Sequence, residues 1–435
     1  MSRARKRVPL NVFLNGRLVG RLKKETSGAI DFQYDPAWLG WEHTFPVSLS
    51  LPLREDRYLG ERVIAVFDNL LPDNADIRNR VAARVSAEGA DAYSLLAAIG
   101  RDCVGALQIL PDGSESGPAG SIAGKPIDEA QTAKLLANLG TNPLGISNED
   151  SAFRISIAGA QEKTALLFWK NKWHLPHGST ATTHILKPQI GTRAGGFDLS
   201  HSVENEHLCM RLTSALGLPT AETTISDFAG QRALVIKRFD REWTSDKRLL
   251  RRPQEDCCQA LSIPPLRKYQ IEGGPGIHQI LQFLKASDQP EEDQRKFIKA
   301  QIVFWLLGAT DGHAKNFSIF IYPGGGFRLT PLYDVLSTQP VLDAKQIQRK
   351  QMRLAMSVGD SRHYILDTIL PRHFIQSADN AGMPASVVQG AMSELQELAP
   401  KAIASVRANL PEDFPEAICT SIFGGMERRL KLIEI

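Results

Sequence analysis

Residues 153–238 constrain the fold most tightly, because short apolar runs broken by turn residues surround one stretch of helical period there. Residues 153–157 read as a strand, 158–161 as a loop of small residues, and 165–169 and 173–175 as strands on either side of Asn171. A third strand, 184–187, ends on Lys187. Residues 203–216 then place Leu208, Leu212 and Leu216 four apart and stop at Gly217, as a helix closed by a left-handed residue does. Two further strands, 223–226 and 233–238, turn about Ala229-Gly230. One helix set into a run of strands predicts a mixed-sheet lobe of the α+β class.

The flanks differ from this lobe. Residues 11–22 predict a hairpin about Asn15-Gly16, a pair suited to a type I′ turn. Ile77, Val81 and Val85 predict a helix, and residues 93–99 another, so an α/β module fills residues 1–110. Residues 111–149 begin turn-rich and are expected as a linker and connecting helix, with the mixed-sheet lobe at 150–240. Residues 241–435 form a mostly helical lobe, in which the apolar helix 297–307 runs straight into Gly308-Ala309-Thr310-Asp311. Two short strands, 317–322 and 327–330, follow about Pro323-Gly324-Gly325-Gly326 and deliver Tyr333-Asp334.

At 435 residues the chain is too long for one hydrophobic core, and 43% apolar with 23% charged residues marks an ordinary globular protein. The cysteines are five in number, without a CxxC pair, which predicts reduced thiols in a cytoplasmic protein. The basic start, residues 2–7, is followed by Asn, Arg and Gly instead of an apolar stretch, so it reads as a solubilising tail and not as a secretion signal. No window is apolar enough to span a bilayer, and a net charge of +3 does not by itself make a nucleic-acid binder.

The order of elements in residues 153–238 is that of a kinase N-lobe, and the chemistry beyond it agrees. Phosphoryl transfer needs a carboxylate beside the attacking hydroxyl, metal ligands bridging the phosphates, and a cation against the nucleotide. Asp311 and Asn316 have the D-x-x-x-x-N spacing of a kinase catalytic loop, the first accepting the hydroxyl proton and the second holding Mg²⁺. Asp334 follows a β-hairpin, where a second metal carboxylate belongs, although Tyr-Asp-Val replaces Asp-Phe-Gly. Lys187 is the strand lysine that meets the phosphates, with Glu206, or else Glu204, on the next helix as its ion-pair partner. The loop Ala158, Gly159, Ala160, Gln161, Glu162 and Lys163 lacks the Walker A glycine pattern but offers backbone N–H groups to phosphate. Ser156 at its edge is a hydroxyl open to phosphorylation. His313 has no zinc-ligand partner and is expected to be structural within the nucleotide site; Cys257-Cys258 is expected to be buried.

Two strings, residues 153–164 (Phe-Arg-Ile-Ser-Ile-Ala-Gly-Ala-Gln-Glu-Lys-Thr) and 308–316 (Gly-Ala-Thr-Asp-Gly-His-Ala-Lys-Asn), closely resemble the HipA toxin kinases. So do residues 67–73 and Ile99-Gly100-Arg101-Asp102, and the resemblance spans nearly the whole chain. It implies a two-lobed protein-kinase-like fold with an extra N-terminal module, using ATP and Mg²⁺ to phosphorylate a serine of glutamyl-tRNA synthetase and arrest growth. By the same resemblance Asp311 is catalytic, Asn316 and Asp334 hold magnesium, and Lys187 with Ala158 to Lys163 contacts the phosphates. Lys237, Arg238 and Phe239 fall at the adenine hinge, although Lys237 stands where an acidic residue is expected. Ser156 matches the autophosphorylated serine. The implied partner is a HipB-type helix-turn-helix antitoxin, through which the pair binds operator DNA. Two other readings are a silent ATP-binding regulator of a DNA-binding partner, which the joint presence of Asp311, Asn316, Asp334 and Lys187 opposes, and a small-molecule kinase.

Overall fold

Asn15 and Gly16 both adopt positive φ, 45° and 83°, and fold Leu10–Leu14 against Arg17–Lys24 in the predicted hairpin. The computed structural model describes residues 8–146, 154–192 and 196–433; the basic run 2–7 and Phe153 lie outside them. From this hairpin grows a five-stranded antiparallel sheet in the order Tyr58–Leu59, Ile30–Tyr34, Arg17–Lys24, Leu10–Leu14, Leu107–Pro111. Helices Glu61–Asp68, Ala75–Arg84 and Ala92–Ile99 accompany it, the last two started by Asn74 and Asp91, whose side chains accept amides of the first turn. Phe32, Trp38, Phe67 and Leu95 are buried in its core.

A second, six-stranded sheet runs Thr223–Phe228, Gln231–Lys237, His184–Pro188, Thr164–Trp169, Lys172–Pro176, Gly124–Ile127. Lys170-Asn171 and Ala229-Gly230 turn its hairpins with positive φ throughout. The stretch expected as a linker and connecting helix supplies the helix Glu129–Ala137, and it also supplies the edge strand Gly124–Ile127. Ala133 and Leu136 of that helix pack with Leu166, Leu186 and Val235 of the sheet. Residues 154–158 form no ladder, in contrast to the expected strand, because the Ser156 amide bonds the Asp102 carbonyl (2.9 Å) of the N-terminal module.

Packing divides the chain into two compact units that cut across the sequence divisions. One comprises Met1–Pro188, Ser226–Leu266 and Ile319–Phe327; the other comprises Gln189–Ile225, Arg267–Ser318 and Arg328–Ile435. The first thus holds the N-terminal module and most of the mixed-sheet lobe together. The second is built on helices Ser202–Ala215, Ile277–Leu284, Pro290–Leu307, Pro371–Asp379, Ala385–Ala408 and Glu416–Leu430. All five cysteines are buried and none is in a disulfide among the described residues. No helix among the described residues is long and apolar enough to cross a membrane.

Within the first unit Glu255 is buried; its Oε1 accepts the Leu49 amide (2.8 Å), and its Oε2 has no hydrogen-bond partner among the described residues. Loss of hydration pushes this carboxyl up to about 8. The unfolded chain ionises it near the ordinary value of about 4.3, so its stabilising effect is full below that pH and declines as pH climbs toward the folded value. Glu255→Gln should therefore gain on the wild type in urea midpoint between about pH 5 and 8, with a constant advantage above.

Candidate active site

The Pro290–Leu307 helix buries Phe297, Ile298, Ala300 and everything from Ile302 to Leu307, which makes it a core rod of its unit. It stops at Gly308 (φ 67°), and the amides of Gly308 and Ala309 fold back onto the carbonyls of Trp305 and Phe304. Asp311 emerges directly after. At Gly312 a Cβ would sit 2.4 Å from the Phe304 ring, so only glycine lets the loop lie on the helix end. The Asp311 carbonyl accepts two bonds, from the His313 amide (2.8 Å) and from Asn316 Nδ2 (2.6 Å). The second bond fixes the Asn316 amide, turning its oxygen the other way as a hard donor. The Asp311 side chain is 56% exposed, while His313 is buried with its Nε2 3.9 Å from Asp311 Oδ1. Tyr269 Oη donates to the same Oδ1, and its ring meets His313 edge-on at 4.9 Å.

Tyr333 ties the second carboxylate to this loop: its hydroxyl donates to the Lys315 carbonyl (2.7 Å) and bonds Ser318 Oγ. Asp334 follows with φ 59°, a left-handed backbone that a non-glycine residue pays for, of the kind that gathers at functional sites. A carboxylate and an amide oxygen are hard oxygen donors of the kind Mg²⁺ would take, so Asp334 and Asn316 would be the residues to hold it. Among the described residues no group of three His, Cys, Asp or Glu could hold a softer ion.

The small-residue loop belongs to the other unit. Lys163 turns its ammonium onto the Ala158 carbonyl (2.8 Å), and at Gly159 (φ 109°) a Cβ would lie 2.3 Å from that nitrogen. Gln161 donates to the Pro188 carbonyl (3.3 Å), at the end of the strand that carries buried Lys187. Ala160 is exposed at the tip. Glu162 pairs with Arg80, the Asp73 amide bonds the Gly159 carbonyl (3.1 Å), and Ser156, fully buried, donates its hydroxyl to the Leu70 carbonyl (2.8 Å). The N-terminal module therefore shapes this loop from below. In the helical unit Glu206 is buried, and Glu204 accepts from Gln189 (2.7 Å).

At the expected hinge Lys237 is exposed and Phe239 lies edge-on to Phe320, 5.9 Å away. Arg238 is held from within: its guanidinium bonds Asp240 (2.7 Å), Thr182 (2.8 Å) and the Cys103 carbonyl (2.9 Å), and its amide donates to the Thr183 carbonyl. Both groups are engaged inside the protein, so what Arg238 can offer a nucleotide is its carbonyl. Arg238, Arg241 and Arg251 surround Asp102 and Asp240, all of them buried. Burial alone would raise the Asp102 carboxyl, but Arg241, Arg251 and Arg238 together hold it well below the usual carboxylate range. Sequence reasoning missed this network and Tyr269. The available signals were the charge string 238–241 and the glycine-rich turn 273–276 that follows Lys268-Tyr269-Gln270.

Residues 155–403 match the HipA-like C-terminal domain and residues 10–110 the HipA N-terminal domain. The Y4mE protein of Sinorhizobium fredii is 38% identical over 358 residues, covering 81% of this chain and 83% of Y4mE. The serine/threonine-protein kinase toxin HipA of Shewanella oneidensis is 26% identical over 419 residues, with 93% and 91% covered. In the solved complex of Shewanella oneidensis HipA with HipB and operator DNA, one chain superimposes with a TM-score of 0.81 at 24% identity, over 98% of each chain. The fold, with its sheet-built N-terminal part and mostly helical C-terminal part, is the expected mixed kinase-like one, and the family match with these relatives makes the class a kinase. Within that class the chain belongs to the HipA family.

Proposed function

We propose that the chain is the toxin of a toxin-antitoxin pair, a serine/threonine kinase that phosphorylates a protein hydroxyl, on glutamyl-tRNA synthetase, and thereby stops translation. The catalytic loop carries this reading, because it presents the open Asp311 carboxylate while locking the Asn316 amide to the Asp311 carbonyl. ATP with Mg²⁺ supplies the electrophilic phosphoryl group. Asp311 takes the acceptor's proton, and Asn316 and Asp334 hold the metal. Lys187 and the amides of Ala158 to Lys163 meet the phosphates, the main chain of Lys237 to Phe239 borders adenine, and His313 packs behind the loop. A HipB-type antitoxin is the proposed partner, with operator DNA reached through it; the similar Shewanella protein was solved with HipB and operator DNA.

Labelled ATP, Mg²⁺ and purified glutamyl-tRNA synthetase test the reading by intact mass. The synthetase should gain phosphate from the wild type and none from Asp311→Gln, while the chain itself gains one that Ser156→Ala cannot accept. Phosphate on the chain alone would leave the kinase and remove this substrate; none on either would overturn the enzyme reading.

Ser156 adds a regulatory expectation. Its site has no room for phosphate, since the hydroxyl is buried against Leu70. Added charge must drive residues 154–163 off the module. Ser156→Asp should lower transfer on the order of 10²-fold, the cost of misplacing a substrate contact, and open this loop to limited proteolysis.

A further inference from the structure

A carboxylate that must accept a proton from an incoming hydroxyl works best if its oxygens are held in place before the substrate arrives. The main chain of Asp311 is well fixed by the bonds from His313 and Asn316, but those bonds leave its side-chain torsions untouched. The geometry points to Tyr269 as the positioning residue for Asp311: its phenol donates to Oδ1 and sets the direction in which the carboxylate faces the acceptor hydroxyl. This rests on the proposed role of Asp311 as the base.

Three further contacts show that the phenol is held where it is. The Tyr269 ring stands edge-on to His313, centroids 4.9 Å apart, inside the catalytic loop itself. The Lys268 carbonyl, one residue earlier, accepts the Ala314 amide (3.4 Å) of the same loop. One residue later, Gln270 Oε1 accepts the Ser357 amide (2.7 Å) from the strand Arg353–Val358. The segment 268–270 is thus bolted to the catalytic loop on one side and to a strand on the other. Close packing at the following glycines preserves its path: at Gly274 a Cβ would lie 2.1 Å from the Arg267 carbonyl, and at Gly276 2.5 Å from the Gln270 amide.

A phenol on a catalytic carboxylate could instead block it by occupying the place of the acceptor. Exposure decides between the two. With Tyr269 bound, the Asp311 side chain is still 56% exposed, so the bond engages one oxygen and leaves the rest of the carboxylate open.

The test is Tyr269→Phe, which deletes the hydroxyl and keeps the ring on His313. Total labelled phosphate transferred from ATP, to the synthetase and to the chain itself, is measured beside Asp311→Asn and Gln270→Ala. Loss of a hydrogen bond to a charged group should lower kcat by roughly 10- to 100-fold, with KM for ATP and thermal midpoint unchanged. Gln270→Ala, which loosens the segment without touching the phenol, should fall less. An unchanged or raised kcat in Tyr269→Phe overturns the inference, the raised one by showing that the phenol blocks the base. A fall in kcat matched by a lower midpoint, or by an equal fall in Gln270→Ala, also overturns it in favour of a packing role. If Asp311→Asn transfers phosphate less than about 10²-fold more slowly than the wild type, the reading of Asp311 as base has failed, whatever Tyr269→Phe does.

Discussion

Asp311→Asn should fold and bind ATP like the wild type while phosphoryl transfer falls by about 10²- to 10⁴-fold, the usual contribution of a positioned general base. The replacement is isosteric, and Tyr269 can still donate to the oxygen that remains. The two bonds that hold the loop here, from the His313 amide and the Asn316 side chain, end on the Asp311 carbonyl and not on its carboxylate. Nucleotide affinity rests on residues of other segments, Lys187 and the 158–163 loop in the proposed reading. Single-turnover transfer measured beside ATP affinity should therefore separate Asp311→Asn from the wild type in rate alone. Loss of both together would mean that Asp311 holds the site's shape instead of serving its chemistry.

The second large effect is on stability. Asp102→Ala leaves the guanidinium groups of Arg238, Arg241 and Arg251 buried around one remaining carboxylate, Asp240. Breaking a buried ion network from one side typically costs about 3–5 kcal/mol, because the uncompensated charges stay out of water. Urea unfolding of the variant should shift to a much lower midpoint, whereas Asp246→Ala, which loses an exposed pair with Arg248, should not move it. The depressed Asp102 carboxyl also fixes the sign of a pH effect. Its contribution is whole above the ordinary aspartate value of about 3.9 and is lost as pH falls toward its folded value, so the wild type alone should show this acid loss.

What could be read from the sequence was local. Asn15-Gly16 and Ala229-Gly230 announce their hairpins because the turn type demands positive φ at both positions. The D-x-x-x-x-N spacing behind the proposed catalytic loop could be read because Asp311 and Asn316 lie within one short stretch of chain. The phenol of Tyr269 reaches Asp311 across 42 residues, and Arg238 reaches Asp102 across 136, so neither leaves a spacing to recognise. Aspartate and arginine ordinarily lie in water, which is why a buried network of five looks like surface charge until its burial is known. Residues 154–157 have the composition of an extended half-buried segment, yet that pattern is silent on which neighbour accepts the backbone bonds. The strand Gly124–Ile127 hid for another reason: Pro126 argues against a central strand, and an edge is the place a sheet tolerates it.

The joint between the 154–163 loop and the N-terminal module depends heavily on atoms that mutation does not change. The Ser156 amide meets the Asp102 carbonyl, the Asp73 amide meets the Gly159 carbonyl, and Ser156 Oγ ends on the Leu70 carbonyl. Peptide groups are common to every residue except proline on the donor side. Side chains around such a seam can drift far while the seam itself persists, so the two parts can diverge in lineage without losing their fit. Exchanging them between distant relatives is then limited less by residue identity than by keeping the backbone path through Leu70, Asp73 and Asp102.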